Sequence, residues 1–292
     1  MTMFLTDFPD EYNANVQKII NDTFSNSTLF YTPYFNVSED GRYSIPVPAY
    51  SSFGSMQTWN DGENVPTDDA VKRFTTTFTQ VGYGLAFKVS RQHVKYGMLA
   101  QINKWAGSLG SSGAATLNTV HANILNNAFS STHGDGTYLC SASHPVSGST
   151  ASNTLGAVAL STTSIDTMNY NGLETVDYKG KPTPIIFNKI IVPAELARKA
   201  SQIVGSTQEY GTTDNQINYY QGKYQVIADP HLTSATAWFM QAANHGLASY
   251  VGKAFSTDNY IEDSSKSLVH RAELDFVCGV EDWYGMYGSS GA

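Results

Sequence analysis

Apolar residues recur every three or four positions over a long central stretch: Val94, Met98, Ile102, Trp105, Leu109, Gly113, Leu117, Val120, Ile124 and Ala128. The phase survives Gly107, Gly110 and Gly113. This spacing predicts one long helix over 91–128, bent at the glycines, rather than two unrelated helices. At 1.5 Å per residue it would span roughly 50 Å. A globular enzyme core seldom needs such a helix; an elongated subunit does.

On either side of that stripe the period changes to two. Tyr43, Ile45, Val47 and Ala49 alternate with polar or proline positions, and Pro46 and Pro48 confine this strand to a sheet edge. Val81, Tyr83, Leu85, Phe87 and Val89 share one face of a second strand, read over 71–90. The polar stretch 51–70 between them makes a long hairpin. Its tip carries Trp59, which can pack locally or on a partner. Residues 1–40 read as an arm that orders against a neighbour. It holds a short helix over Glu11–Thr23, with Val16, Ile19 and Ile20 on one side, then an aromatic, irregular stretch.

Shorter elements follow the central helix. A helix is predicted around Thr163–Tyr170, and a turn at Lys179-Gly180-Lys181-Pro182. Ile185–Val192 reads as a buried strand, with Pro193 opening a helix that Gly205 stops. Residues 206–221 form a polar loop. Lys223–Ala228, ended by Asp229-Pro230, and Thr236–Gln241 are strands. In the last strand Leu268, His270, Ala272, Leu274, Phe276, Cys278 and Val280 share a face. The fold class is α+β, with strands dispersed around one dominant helix and no internal repeat.

Composition sharpens this picture. Of 292 residues, 41% are hydrophobic but only 14% are charged. A polar, uncharged surface pays little desolvation cost when buried against a partner, which suits an obligate oligomer. Seventeen basic against 25 acidic residues argue against a dedicated nucleic-acid binder, though not against passive contact. Two cysteines, Cys140 and Cys278, make no disulfide scaffold and suit a reducing compartment. The amino terminus shows no signal peptide, and no apolar run approaches the ~20 residues of a membrane helix.

The richest local chemistry lies in GDGTYLCSASHPVSGSTASN, Gly134 to Asn153. His133, just before this run, lies close in sequence to Asp135, Cys140 and His144 within it, but their spacing matches no zinc module. Asp135-Gly136 reads as a turn and His144-Pro145 as extended chain leaving it. A hydrolase using His144 or His133 is the reading this segment invites. Phosphate-binding loops, nucleophile elbows and paired metal-ligand motifs are absent from the chain. His121 and His270 read as packed or half-exposed residues.

Taken in order, four stretches carry a family resemblance. They are the helix opening Ser90-Arg91-Gln92, the run Asp135–Pro145 with Ser152-Asn153, Ile190–Ser206, and Tyr224–Met240. With the terminal DFVCGVEDWYG they cover most of residues 80–285. The chain resembles the major capsid proteins of tailed phages, in particular the Mu-like major head subunit group. The resemblance implies the Hong Kong ninety-seven-type capsid fold. Its parts would be an N-terminal arm (1–40), an extended hairpin loop (42–80) and a peripheral domain with the spine helix (81–130, plus strands near 255–275). An axial domain (131–250, plus the C-terminal strand 276–287) would complete it.

Such subunits assemble as pentamers and hexamers into an icosahedral shell around double-stranded DNA. The implied partners are further copies of the chain, a separate scaffolding protein, a portal, and DNA touched without sequence specificity. No membrane, cofactor, metal or catalytic residue is implied. The place would be the virion, with assembly in the bacterial cytoplasm. Because the arm begins at Met1, a fused scaffolding segment is not expected. The basic residues in the hairpin are Arg42, Lys72 and Arg73, and a lysine crosslink there is not carried over. Candidate inter-subunit contacts are Phe53, Trp59, Asp61, Phe30, Tyr31 and Tyr34. An encapsulin-like compartment enclosing a protein cargo shares the fold and stands as the alternative.

Overall fold

The computed structural model describes residues 9–90, 92–93, 96, 98–146, 149–208, 217–262, 264–265 and 267–292. In chain order the elements are α1 (Pro9–Asn26), β1 (Asn36–Glu39), β2 (Ser44–Tyr50), β3 (Lys72–Thr79), β4 (Val81–Val89) and α2 (Leu99–Asn126). Next come β5 (His144–Val146), β6 (Ser149–Ala151), α3 (Thr162–Leu173), β7 (Phe187–Val192) and α4 (Ala197–Gly205). The last five strands are β8 (Gln225–Ala228), β9 (Trp238–Ala242), β10 (Leu247–Glu262), β11 (Ser267–Val280) and β12 (Met286–Ser289).

Helix α2 has 28 residues, so it spans about 42 Å. Its buried face includes Ile102, Leu109 and Leu117 from the predicted stripe, joined by Ala106, Ala114, Ala122 and Leu125. Val94 lies outside the described residues. The glycines serve close approach: a Cβ on Gly110 would sit 2.4 Å from the Ile20 carbonyl oxygen. Gly113 faces the Phe255 ring in the same way, at 2.6 Å. Helix α1 therefore lies directly on α2, with Val16 and Ile20 fully buried against Ile102, Ala106 and Leu109. It is longer than the helix expected over Glu11–Thr23, and it docks on its own chain.

Two four-stranded sheets carry the rest. The first has the order β1-β10-β11-β4 and the second β12-β9-β7-β8. Strand β10, with 16 residues the longest among the described residues, overlaps the strands near 255–275 that the resemblance implied, but it begins earlier and the residue pattern did not show it. Its register against β11 shifts between Val251 and Lys253 and again before Ser256. Each shift swaps the faces, so no period of two survives along the sequence. The strand expected over 71–90 is in fact two. At Gln80 the backbone N–H donates to the Tyr43 carbonyl and the side chain to the Asp40 carbonyl. There β3 leaves the β2 hairpin pairing and β4 joins β11. On β4 Val89 is buried, but Val81 and Leu85 remain exposed.

The second sheet packs on α3 and α4 through Ile165, Met168, Ile190, Ile203, Trp238 and Met240. Helix α3 begins at a reciprocal cap, in which the Ser161 hydroxyl accepts from the Ser164 N–H and the Ser164 hydroxyl accepts from the Ser161 N–H. Pro193 lies just outside its helix in extended backbone, and a short 3-10 turn, Ala194–Leu196, leads into α4. A further core joins the two sheets, built from Leu117, Leu125, Phe239, Phe276 and Met286. Among the described residues no helix is long and apolar enough to cross a membrane.

Candidate functional site

The Gly134–Asn153 segment folds into a knot around His144. Asp135-Gly136 is a turn, with Gly136 at φ 83° and its N–H on the His133 carbonyl at 2.9 Å. His144 Nδ1 lies 2.7 Å from Asp135 Oδ2, and Nε2 lies 3.0 Å from Asn153 Oδ1. The imidazole stacks on Trp283, 4.4 Å between centroids and 12° between planes. Asn153 donates to the carbonyls of Leu139 and Met286, and its oxygen accepts from the Ser141 N–H. Burial pushes the Asp135 carboxyl up, but hydrogen bonds from His144 and Thr137 outweigh this and hold it below its ordinary value.

This geometry does not suit hydrolysis. Asp135 and Asn153 occupy the two nitrogens of the ring, and the adjoining cavity has a volume of about 10 Å³, room for one water. Cys140 is buried and packs closely under Gly288. The His133 Nε2 is buried without a partner among the described residues. No cluster of three metal-ligating side chains occurs among the described residues. The four residues that looked like one site in sequence are thus divided between a buried polar knot and a core.

The knot abuts the root of the hairpin. A Cβ on Gly134 would meet Thr76 Oγ1 at 2.2 Å and the Phe74 ring at 2.7 Å, so only glycine fits. Beside it Arg73, with a side chain 4% exposed, bonds Asp282 at 2.9 Å. Its guanidinium lies over the rings of Phe74, Tyr178 and Tyr284. Burial raises the Asp282 carboxyl above its ordinary range, and Arg73 partly offsets this. Hairpin root, turn and C-terminal segment therefore meet in one junction.

Beyond that root the hairpin loop stands in solvent. Phe53 is 60% and Trp59 56% exposed, and Asp61 is exposed with them. Trp59 Nε1 donates to the Glu63 carbonyl at 2.7 Å, so the polar edge is satisfied locally while the ring stays available. Met56 and Val65, which the pattern of the chain did not single out, are exposed on the same loop. Phe30 is half-buried against His231. Tyr31 and Tyr34 are corrected outright as contact residues. Tyr31 stacks on His121 at 3.7 Å, and the Tyr34 hydroxyl donates to Asp229 at 2.5 Å inside the chain's own core.

Residues 72–289 match the phage capsid protein family. The chain belongs to that family. It is a structural capsid shell protein and a component of a virion.

Solved capsids share the fold of this capsid protein. The capsid of an empty GTA particle aligns with a TM-score of 0.57 at 12% identity, over 90% of this chain and 90% of that one. The procapsid of bacteriophage JBD30 aligns with 0.56 at 12% identity, over 98% of this chain and 76% of the other. A virus-like particle from Pyrococcus furiosus aligns with 0.52 at 10% identity, over 94% and 98%. These likenesses bear out the α+β capsid fold expected from the resemblance. A comparison with curated proteins finds no match. The matched family region takes in the His144 knot, the Arg73 junction and β3 of the capsid protein's hairpin.

Proposed function

We propose that this capsid protein is the major head subunit of a tailed phage or prophage of the Mu-like group. It assembles as pentamers and hexamers into an icosahedral shell around double-stranded DNA. Residues 81–130 serve as the peripheral domain on the α2 spine and 131–250 as the axial domain. The hairpin, 42–80, reaches a neighbour through Phe53, Trp59 and Asp61. A separate scaffolding protein and a portal complete the head in the host cytoplasm, and the packaged DNA is held without sequence specificity. The protein acts by contact and carries out no catalysis.

The observation that supports this most is the hairpin: a loop with Phe53, Met56, Trp59 and Val65 exposed, on a root fixed by the buried Arg73. Single apolar residues scatter over any surface, but a group on one protrusion marks an interaction site. Negative-stain imaging of the purified chain, with and without its scaffold, tests the reading. Closed shells that protect nucleic acid from nuclease are expected. A stable monomer that never forms rings or shells under either condition overturns it. A second reading, a nanocompartment around a protein cargo, draws on the likeness to the Pyrococcus furiosus virus-like particle over 98% of that chain. Protein rather than DNA inside the particles would favour it.

A further inference from the structure

The neck of the hairpin loop is held in a way that packing does not explain. Ser51 and Val71 close the neck through two hydrogen bonds, at 2.8 and 2.9 Å. Just beyond them the turn 177–181 grips both sides. Lys179 Nζ reaches Asp68 Oδ1 and Oδ2 at 2.8 and 2.7 Å and the Asp69 carbonyl at 2.9 Å. Asp68 Oδ2 also accepts the Gly54 N–H at 2.7 Å, tying the two sides of the neck together. Ser52 donates to Asp177, and Lys181 Nζ approaches the Phe53 carbonyl.

The turn that supplies these groups is itself stiff. Asp177 Oδ1 accepts the N–H groups of Lys179 and Lys181, each at 2.9 Å, and Gly180 takes φ 77°. Beside the neck lies an open cleft of about 670 Å³, lined by Tyr50, Arg73, Tyr178, Lys181, Ile186 and Tyr284. Apolar packing therefore leaves room for the neck to swing. The polar contacts that cross the neck centre on Asp68 and Lys179.

We propose that the Asp68–Lys179 clasp positions the hairpin loop for assembly. It holds Phe53, Met56 and Trp59 at one angle in the free subunit, so that the ordering cost is met before a neighbour arrives. Asp68 and Lys179 are positioning residues in this scheme, acting through the apolar residues that make the contact. The inference rests on the reading of the hairpin as an inter-subunit contact.

Three variants of the full chain test it. Lys179→Met removes the charge at nearly constant length, Asp68→Asn removes its partner, and Lys179→Arg keeps the pair. Two readouts are used: hydrogen exchange of the amides of residues 52–70 in the free subunit, and the protein concentration at which particles form. Lys179→Met and Asp68→Asn are expected to exchange about two- to fivefold faster there and to need a similarly higher concentration, as for exposed ion pairs. Lys179→Arg should match wild type in both. Raising salt to 0.5 M should bring wild type towards the two broken variants, because the clasp is screened. Urea unfolding should be the same for all four proteins.

Lys179→Met behaving as wild type overturns the proposal. So does Lys179→Arg failing as badly as Lys179→Met, since the ion pair would then not be the cause. If wild type forms no particles, the hairpin-contact reading fails separately. The clasp is then decided by exchange alone, and equal exchange in Lys179→Met and wild type overturns it.

Discussion

Asp135, Asn153 and Trp283 hold the His144 ring from three sides, and two of them depend on it in return. Replacing His144 with Ala removes the ring that contacts the Asp135 carboxylate and the Asn153 oxygen and empties the space over Trp283. The expected cost is about 2–4 kcal/mol, combining lost hydrogen bonds with a cavity. Urea unfolding at pH 7 measures it. Shell formation should fall in step, while an esterase assay should read the same background for both proteins. His270 presents the opposite case. It is fully buried between Phe87 and Tyr12, and neither ring nitrogen has a partner among the described residues. His270→Phe removes two unsatisfied polar atoms and no hydrogen bond, so stability at pH 7 should hold or rise. A fall of more than about 1 kcal/mol would contradict this account. The sequence pointed to Asp135 and His144 because they lie in one short stretch. Trp283 and Arg73 were invisible as their companions, since only the fold brings residues so far apart in the chain together.

At the level of elements, the glycines of α2 divide by what they face. Gly110→Ala sets a methyl 2.4 Å from the Ile20 carbonyl oxygen and must push α1 off α2. The expected loss is about 1–3 kcal/mol, as for overpacking. At Gly107 the nearest atom to a new Cβ is Thr23 Oγ1, 3.7 Å away. Gly107→Ala should therefore gain up to about 1 kcal/mol from helix propensity alone. Thermal melts of the two variants side by side check the contrast, and equal effects would remove the close-approach explanation. The helical stripe showed that α2 exists and which face is apolar. It could not tell a glycine that bends a helix from one that admits a second helix. The hairpin was legible from Pro46, Pro48 and the polar loop, but its end at Gln80 was not. Val81 continues the alternation without a break, and only the contacts of Gln80 with Tyr43 and Asp40 decide that β4 belongs to another sheet.

Across the whole molecule, burial sets the response to acid. His121, His245 and His270 are pushed down to about 4 by burial, from an ordinary value of 6.5. In the unfolded chain they bind protons near 6.5, so below that pH the unfolded state gains protons that the folded state refuses. Their contribution is complete above about pH 6.5 and is lost as pH falls toward about 4. Unfolding free energies measured from pH 7.5 to 4 should decline through that window. His270→Phe should decline less steeply, and an identical slope would place the acid sensitivity elsewhere. Much of the architecture follows from local pattern: the long helix, the proline-marked hairpin, the α+β class and the turns at Gly136 and Gly180. These depend on neighbours within a few residues, so the order of residue types suffices to determine them. Only the tertiary structure decided which apolar and polar groups are spent inside the subunit. Tyr31 and Tyr34 looked available to a neighbour yet fill the core, whereas Phe53 and Trp59 remain outside. Burial depends on what packs across from a residue, and for these residues the opposing surface is α2, β9 and β11, joined by contacts at long range in the chain.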